Sequence, residues 1–67
     1  MAEQVSEIGG LKAYEINFQV GRGRKINQVV QFHPNSRQAL AVSRKMLEEA
    51  WAEDIQILSI NETTVTI

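Results

Sequence analysis

The segment AYEINFQV, residues 13–20, alternates apolar and polar side chains from Tyr14 to Val20. That period of two places Tyr14, Ile16, Phe18 and Val20 on one face of a β-strand and Glu15, Asn17 and Gln19 on the other. A strand with one apolar face is not stable by itself, so the remaining residues must supply its sheet partners and a cover. In a chain of 67 residues that requirement leaves few architectures.

The next residues, GRGR at 21–24, end the alternation, and glycines at 21 and 23 can take the positive φ values that a tight hairpin demands. A second strand is expected from Lys25 to Phe32, with Ile26, Val30 and Phe32 on its core face. Gln28 interrupts that face and Val29 points away from it, the pattern of a bulged or edge strand. At HPNSRQAL, Pro34 stops the ladder and Asn35 or Ser36 can accept a hydrogen bond from the first free amides, so a helix begins near Ser36 or Arg37. Ala39, Leu40, Val42, Met46, Leu47, Ala50 and Trp51 fall on one side of that helix, the side expected to cover the sheet. DIQILSI then returns to strand character: Ile55 and Ile57 share one face, Leu58 and Ile60 the other. A short last strand in TTVTI, residues 63–67, would follow a turn at Asn61 and Glu62.

The fold class read from this order is α+β: a small two-layer sandwich, β-β-α-β with an optional final strand, its single amphipathic helix packed on an antiparallel sheet of order 2-1-3. A right-handed crossover through the helix brings the third strand beside the first. Residues 1–11, ending in Gly9 and Gly10, read as a flexible N-terminal arm, and residues 12–67 as one domain.

Below about 70 residues a single core rarely supplies more than ~3–5 kcal/mol of net stability. With no Cys and one His in the chain, neither a disulfide framework nor a zinc site supplements it, and no metal or other cofactor is expected. Close packing or self-association remains. The first residues lack the basic start and apolar core of a signal peptide, and no apolar run approaches the ~20 residues of a membrane span. The expectation is a cytoplasmic protein without a membrane partner.

The net charge of −1 hides a strong segregation. Residues 1–20 sum to −2 and residues 46–67 to −5, while residues 21–45 carry Arg22, Arg24, Lys25, Arg37, Arg44 and Lys45 with no acid at all. These six cations are the candidate binding residues. Three crowd the hairpin tip. Arg37 falls in the first turn of the helix, where a cation opposes the helix dipole, and Glu48 and Glu49 oppose it at the other end. Local rules broken in this way mark a surface shaped for contact. A strand of eight residues separates the tip from the start of the helix by about 25 Å, so a stripe is easier to build from the six than a pocket.

Catalysis has little to work with. His33 has only Ser36, Ser43 and Asp54 as candidate partners, at no spacing that makes a triad, and GRGRK lacks the spacing of a phosphate-binding loop. Tyr14, Phe18 and Trp51 belong to the core side rather than to an exposed base-stacking platform. The sequence therefore supports a small non-enzymatic binding or regulatory module that docks through a basic hairpin and helix face onto an anionic partner, either nucleic acid or an acidic protein surface. Its size and lack of catalytic groups suit the accessory proteins of phage and other mobile elements. The alternative is a homo-oligomeric interaction protein, a dimer through an edge strand or through a back-face patch of Val29, Leu58 and Ile60.

Overall fold

The computed structural model describes residues 3–51 and 54–66. It is an α+β sandwich of one helix on an antiparallel sheet, with β1 at Gln4–Val5, β2 at Glu7–Ile8, β3 at Leu11–Val20, β4 at Asn27–His33, α1 at Ser36–Ala50, β5 at Ile55–Glu62 and β6 at Val65–Thr66. The alternating segment is the centre of the sheet. β4 pairs with one edge of β3 and β5 with the other, both antiparallel, which is the order 2-1-3 expected for the three main strands.

The N-terminal segment joins the fold at two places. β2 pairs with the start of β3, Glu7 opposite Lys12 and Ile8 opposite Leu11. Gly9 and Gly10 form the two-residue turn between them at φ 59° and 82°. Positive φ at both positions is the hairpin geometry that a Gly-Gly pair favours, because its twist matches that of the strands it joins. β2 occupies the edge of β3 that β5 vacates. The Ala13 N–H donates to the Ser6 carbonyl and the Ala13 carbonyl accepts from the Thr63 N–H, each at 2.9 Å. The last strand expected in TTVTI forms as β6 but pairs with β1 in a separate two-stranded ribbon, Gln4 opposite Thr66 and Val5 opposite Val65. Ile67 lies outside the described residues.

Tyr14, Ile16 and Phe18 are buried beneath the helix as the alternation requires. Their partners on β4 are not those expected. The register sets Tyr14 opposite Gln31 and Ile16 opposite Val29, so Val29, Gln31 and His33 share the helix-facing side. Val30 and Phe32 lie on the open face opposite Glu15 and Ala13. Ile26 precedes the strand and is exposed. Polar residues hold these core-side positions because their polar atoms are satisfied locally: Gln31 Oε1 lies 2.9 Å from His33 Nε2, and Gln31 Nε2 donates to Met46 Sδ at 3.8 Å.

β5 departs from simple alternation as well. Asn17 faces Ser59 but Phe18 faces Ile57, which makes Leu58 the extra residue of a β-bulge. The bulge shifts the phase, so Ile55, Ile57 and Ile60 stand opposite Val20, Phe18 and Ile16 on the helix side. The expected patch of Val29, Leu58 and Ile60 therefore does not form on the back face: two of its members face the helix, and Leu58 is the surface residue.

Asn35 caps the helix, its side-chain oxygen accepting from the Gln38 N–H at 2.9 Å. The buried stripe of α1 is a single row one turn apart, Ala39, Ser43 and Leu47. The apolar face expected there was wider. Leu40, Val42, Met46 and Trp51 remain 39–49% exposed, because only the row in contact with a sheet this narrow is covered and its flanks overhang. Ser43 sits in the middle of the contact with its hydroxyl donating to the Ala39 carbonyl one turn back, so its burial leaves no polar atom unpaired. Trp51 meets Phe18 edge to face with ring centroids 6.5 Å apart, fixing the helix C-terminus to the end of β3 that leads into the hairpin.

Candidate functional site

The loop between β3 and β4 spans residues 21–26, and hydrogen bonds hold its first half. Gly21 takes φ 58° and its N–H donates to the Asp54 carbonyl at 2.7 Å, tying the hairpin to the entry of β5. The Gly23 N–H donates to the Val20 carbonyl at 3.1 Å, and the Gln19 side-chain amide donates to the Arg24 carbonyl at 3.3 Å. Of the two loop glycines, Gly21 alone uses a positive φ. Gly23 serves by its small size, since a Cβ there would stand 3.1 Å from the Val20 carbonyl oxygen. The result is a held loop presenting three exposed cations, Arg22, Arg24 and Lys25.

The other three candidates do not join them. Arg37 begins the helix, which starts beyond His33 at the opposite end of β4 from the tip. At 3.6 residues per turn, Arg37 and Arg44 share one flank of α1, while Lys45 points away from the sheet, about 200° from Ser43. Met46 contacts Gln31 and so marks the β4 flank. The flank carrying Arg37 and Arg44 is the other one, over β5. Glu48 follows Arg44 by one turn on that flank, and Glu49, Trp51 and Asp54 arrive at the same pole as the hairpin tip through the Trp51–Phe18 and Asp54–Gly21 contacts. The continuous basic stripe is thus interrupted. The cation block and one of the acidic blocks, separate in sequence, meet at one end of the molecule, although the described residues form a salt bridge only between Lys12 and Glu62, at 3.5 Å.

The open face of the sheet carries an interaction that composition alone did not locate. Asn17 Nδ2 donates to Ser59 Oγ at 3.0 Å and to Glu15 Oε1 at 3.3 Å, and Asn17 Oδ1 accepts from Gln28 Nε2 at 3.4 Å. One amide bridges three strands. The alternation puts Asn17 with Glu15 and Gln19 on one face of β3, but the partners emerge only with the register.

His33 is buried at the end of β4 beside Tyr14, ring centroids 6.4 Å apart. Removal from water disfavours the imidazolium, so burial pushes the His33 pKa below its ordinary value. Its hydrogen-bond partner is Gln31, and neither a serine hydroxyl nor a carboxylate bonds to it among the described residues. Those residues also contain no cluster of His, Asp and Glu that would hold a metal ion and no helix long and apolar enough to cross a membrane. No family model, curated protein or solved structure matches the chain.

Proposed function

We propose that the chain is a non-enzymatic binding module whose hairpin loop, through Arg22, Arg24 and Lys25, docks on an anionic partner. The observation that carries the reading is the held loop: three exposed cations on a loop fastened to β3 and to the entry of β5. Ordering the backbone before binding lowers the conformational cost of the contact, which is what a recognition loop requires and a solubility device does not.

An acidic protein surface suits this layout better than nucleic acid. A strand of nucleic acid presents phosphates over a long path, and affinity grows with the number neutralised. Glu48, Glu49 and Asp54 near the tip, together with a net charge of −1, work against such a path. A compact acidic patch can touch the tip alone and avoid those carboxylates, and their repulsion then fixes its orientation.

The test is fluorescence anisotropy with a labelled glutamate-rich peptide, a duplex DNA and a single-stranded RNA, at low and high salt. The peptide is expected to bind in a salt-sensitive manner. The triple variant R22E/R24E/K25E should lose that binding with its melting temperature unchanged. Equal binding by the triple variant would refute the reading, and tighter binding to either nucleic acid would replace the acidic protein surface with that polymer.

A further inference from the structure

The outer edge of β4 is a long border with no partner among the described strands. Its seven residues, Asn27 to His33, pair with β3 in an unbroken register, and no described strand pairs with the other edge. Proteins blunt such edges with lysines, prolines or bulges, since free N–H and C=O groups in a row are a template for another strand. β5 carries a bulge at Leu58 and a charge at Glu62. β4, reading NQVVQFH, has no lysine, arginine, carboxylate, proline or bulge.

The surroundings point to the occupant. A compact monomer of 7.6 kDa exposes about 4,300 Å², whereas this chain exposes 5001 Å² and has a radius of gyration of 12.7 Å, against about 11 Å for a compact domain of its length. The excess goes with an elongated outline of 40 × 23 × 17 Å, which leaves a long strand border uncovered. Exposed apolar side chains lie along the same border: Val30 on the open face, and on the helix Met46 together with Val42 one turn before it.

We infer that the occupant is a second copy of this chain, paired through β4 edge to edge in antiparallel fashion. The two-fold axis passes through Val30, so that Val30 faces Val30, Val29 faces Gln31, Gln28 faces Phe32 and Asn27 faces His33 of the second copy. This strand sets no like charges opposite each other at neutral pH, and Phe32 covers Gln28 on the open face. An axis perpendicular to the sheet keeps both helices on one face. The Val42 and Met46 flanks then meet above the paired strands, covering apolar surface that the single copy leaves wet. The two four-stranded halves become one sheet whose outer borders are formed by β2 and the bulged β5. This inference is independent of the hairpin loop reading, because the tip cations lie outside β4.

The test uses the lack of native cysteine. Opposed residues across antiparallel strands have Cα atoms about 4.5–5.5 Å apart, within disulfide reach. Under mild oxidation Val30→Cys should cross-link rapidly into a covalent dimer, while Leu58→Cys, similarly exposed but on the other edge strand, should not. The unmodified chain should show twice the monomer mass by light scattering at tens of micromolar. Val30→Lys, which opposes two ammonium groups on the axis, should return that mass to the monomer with unchanged circular dichroism, and R22E/R24E/K25E should leave it doubled. A monomeric mass for the unmodified chain would overturn the inference. So would cross-linking of the Leu58 variant as fast as that of Val30, or a dimer undiminished by Val30→Lys.

Discussion

The bulge at Leu58 makes a prediction that simple alternation cannot make. Without it, Leu58 and Ile60 share a face and respond alike to a charged substitution. With it, Ile60 stands opposite Ile16, a residue with no exposed surface, while Leu58 is 41% exposed. Ile60 is half-buried, so replacing it by Lys forfeits part of the about 1.5–3 kcal/mol that full burial of such a side chain contributes. It also brings an ammonium to the helix side of the sheet, where partial desolvation adds about 1–3 kcal/mol. A core of this size has about 3–5 kcal/mol in total, so Ile60→Lys is expected to remove most of the stability. Leu58→Lys can lay its methylenes along the sheet and keep its charge in water, and its cost should stay near 1 kcal/mol or less. For a domain this small that corresponds to a fall in melting temperature of roughly 4–8 °C. Urea unfolding followed by circular dichroism separates the two. Equal effects in either direction, both variants folded or both unfolded, would refute the bulge.

Two further outcomes follow from the helix start and the buried histidine. Asn35→Ala removes the cap on the Gln38 N–H and should cost about 1 kcal/mol in urea unfolding, whereas Asn35→Asp, which keeps the acceptor and adds a charge favourable to the dipole, should cost nothing. The His33 pKa is lowered in the folded state, so between that value and the unfolded value of about 6.5 the unfolded chain binds more protons and stability rises with pH. The stability present above pH ~6.5 should therefore decline as pH falls through the folded His33 pKa, and His33→Phe should flatten that part of a melting-temperature profile. An unchanged slope in the His33 variant would assign the dependence to other groups.

The parts of the fold legible in the sequence are those set by one element alone. The alternation of residues 13–20 identifies the central strand, Pro34 and Asn35 place the helix start, and connection rules give the strand order. What escaped was set between elements. Residues 25–33 have apolar side chains at 26, 29, 30 and 32, which satisfy two opposed alternations, and only pairing with β3 selects the one that turns Val29, Gln31 and His33 inward. A bulge appears in the spacing of Ile57 and Ile60, three apart in a strand, but that spacing also reads as a face change until the partner register is known. Gly9 and Gly10 form a hairpin turn and look like a linker because the strand before them, Glu7–Ile8, is only two residues long. For the candidate site, exposure of all six cations was legible. The split between loop and helix was legible too, whereas the helix faces that carry Arg37, Arg44 and Lys45 and the approach of the acidic block to the tip were not, because sequence distance says nothing of where Asp54 and Trp51 close back on the hairpin.

The same shortage of core explains why the unguarded edge and the charged tip occur together. Among the described residues, six fully or nearly buried apolar side chains with buried Ser43 and His33 make a small interior, and the helix spends its central contact on Ala39 and Ser43 rather than on larger side chains. A chain built this way gains more from covering the Val42 and Met46 flank than a domain with a deep core would. Antiparallel pairing through β4 also changes the charge map. It sets the hairpin tip of one copy at the end of the sheet where the helix of the other begins, bringing Arg37 of the second copy to the same pole as Arg22, Arg24 and Lys25. The cations separated by a strand length within one chain become neighbours in end, though not in flank, across the axis. The acidic residues Glu48, Glu49 and Asp54 are duplicated at both poles too, so pairing enlarges a bipolar surface without making it basic. That favours a partner whose acidic patch is small and placed with its own cations nearby, and disfavours a uniform polyanion.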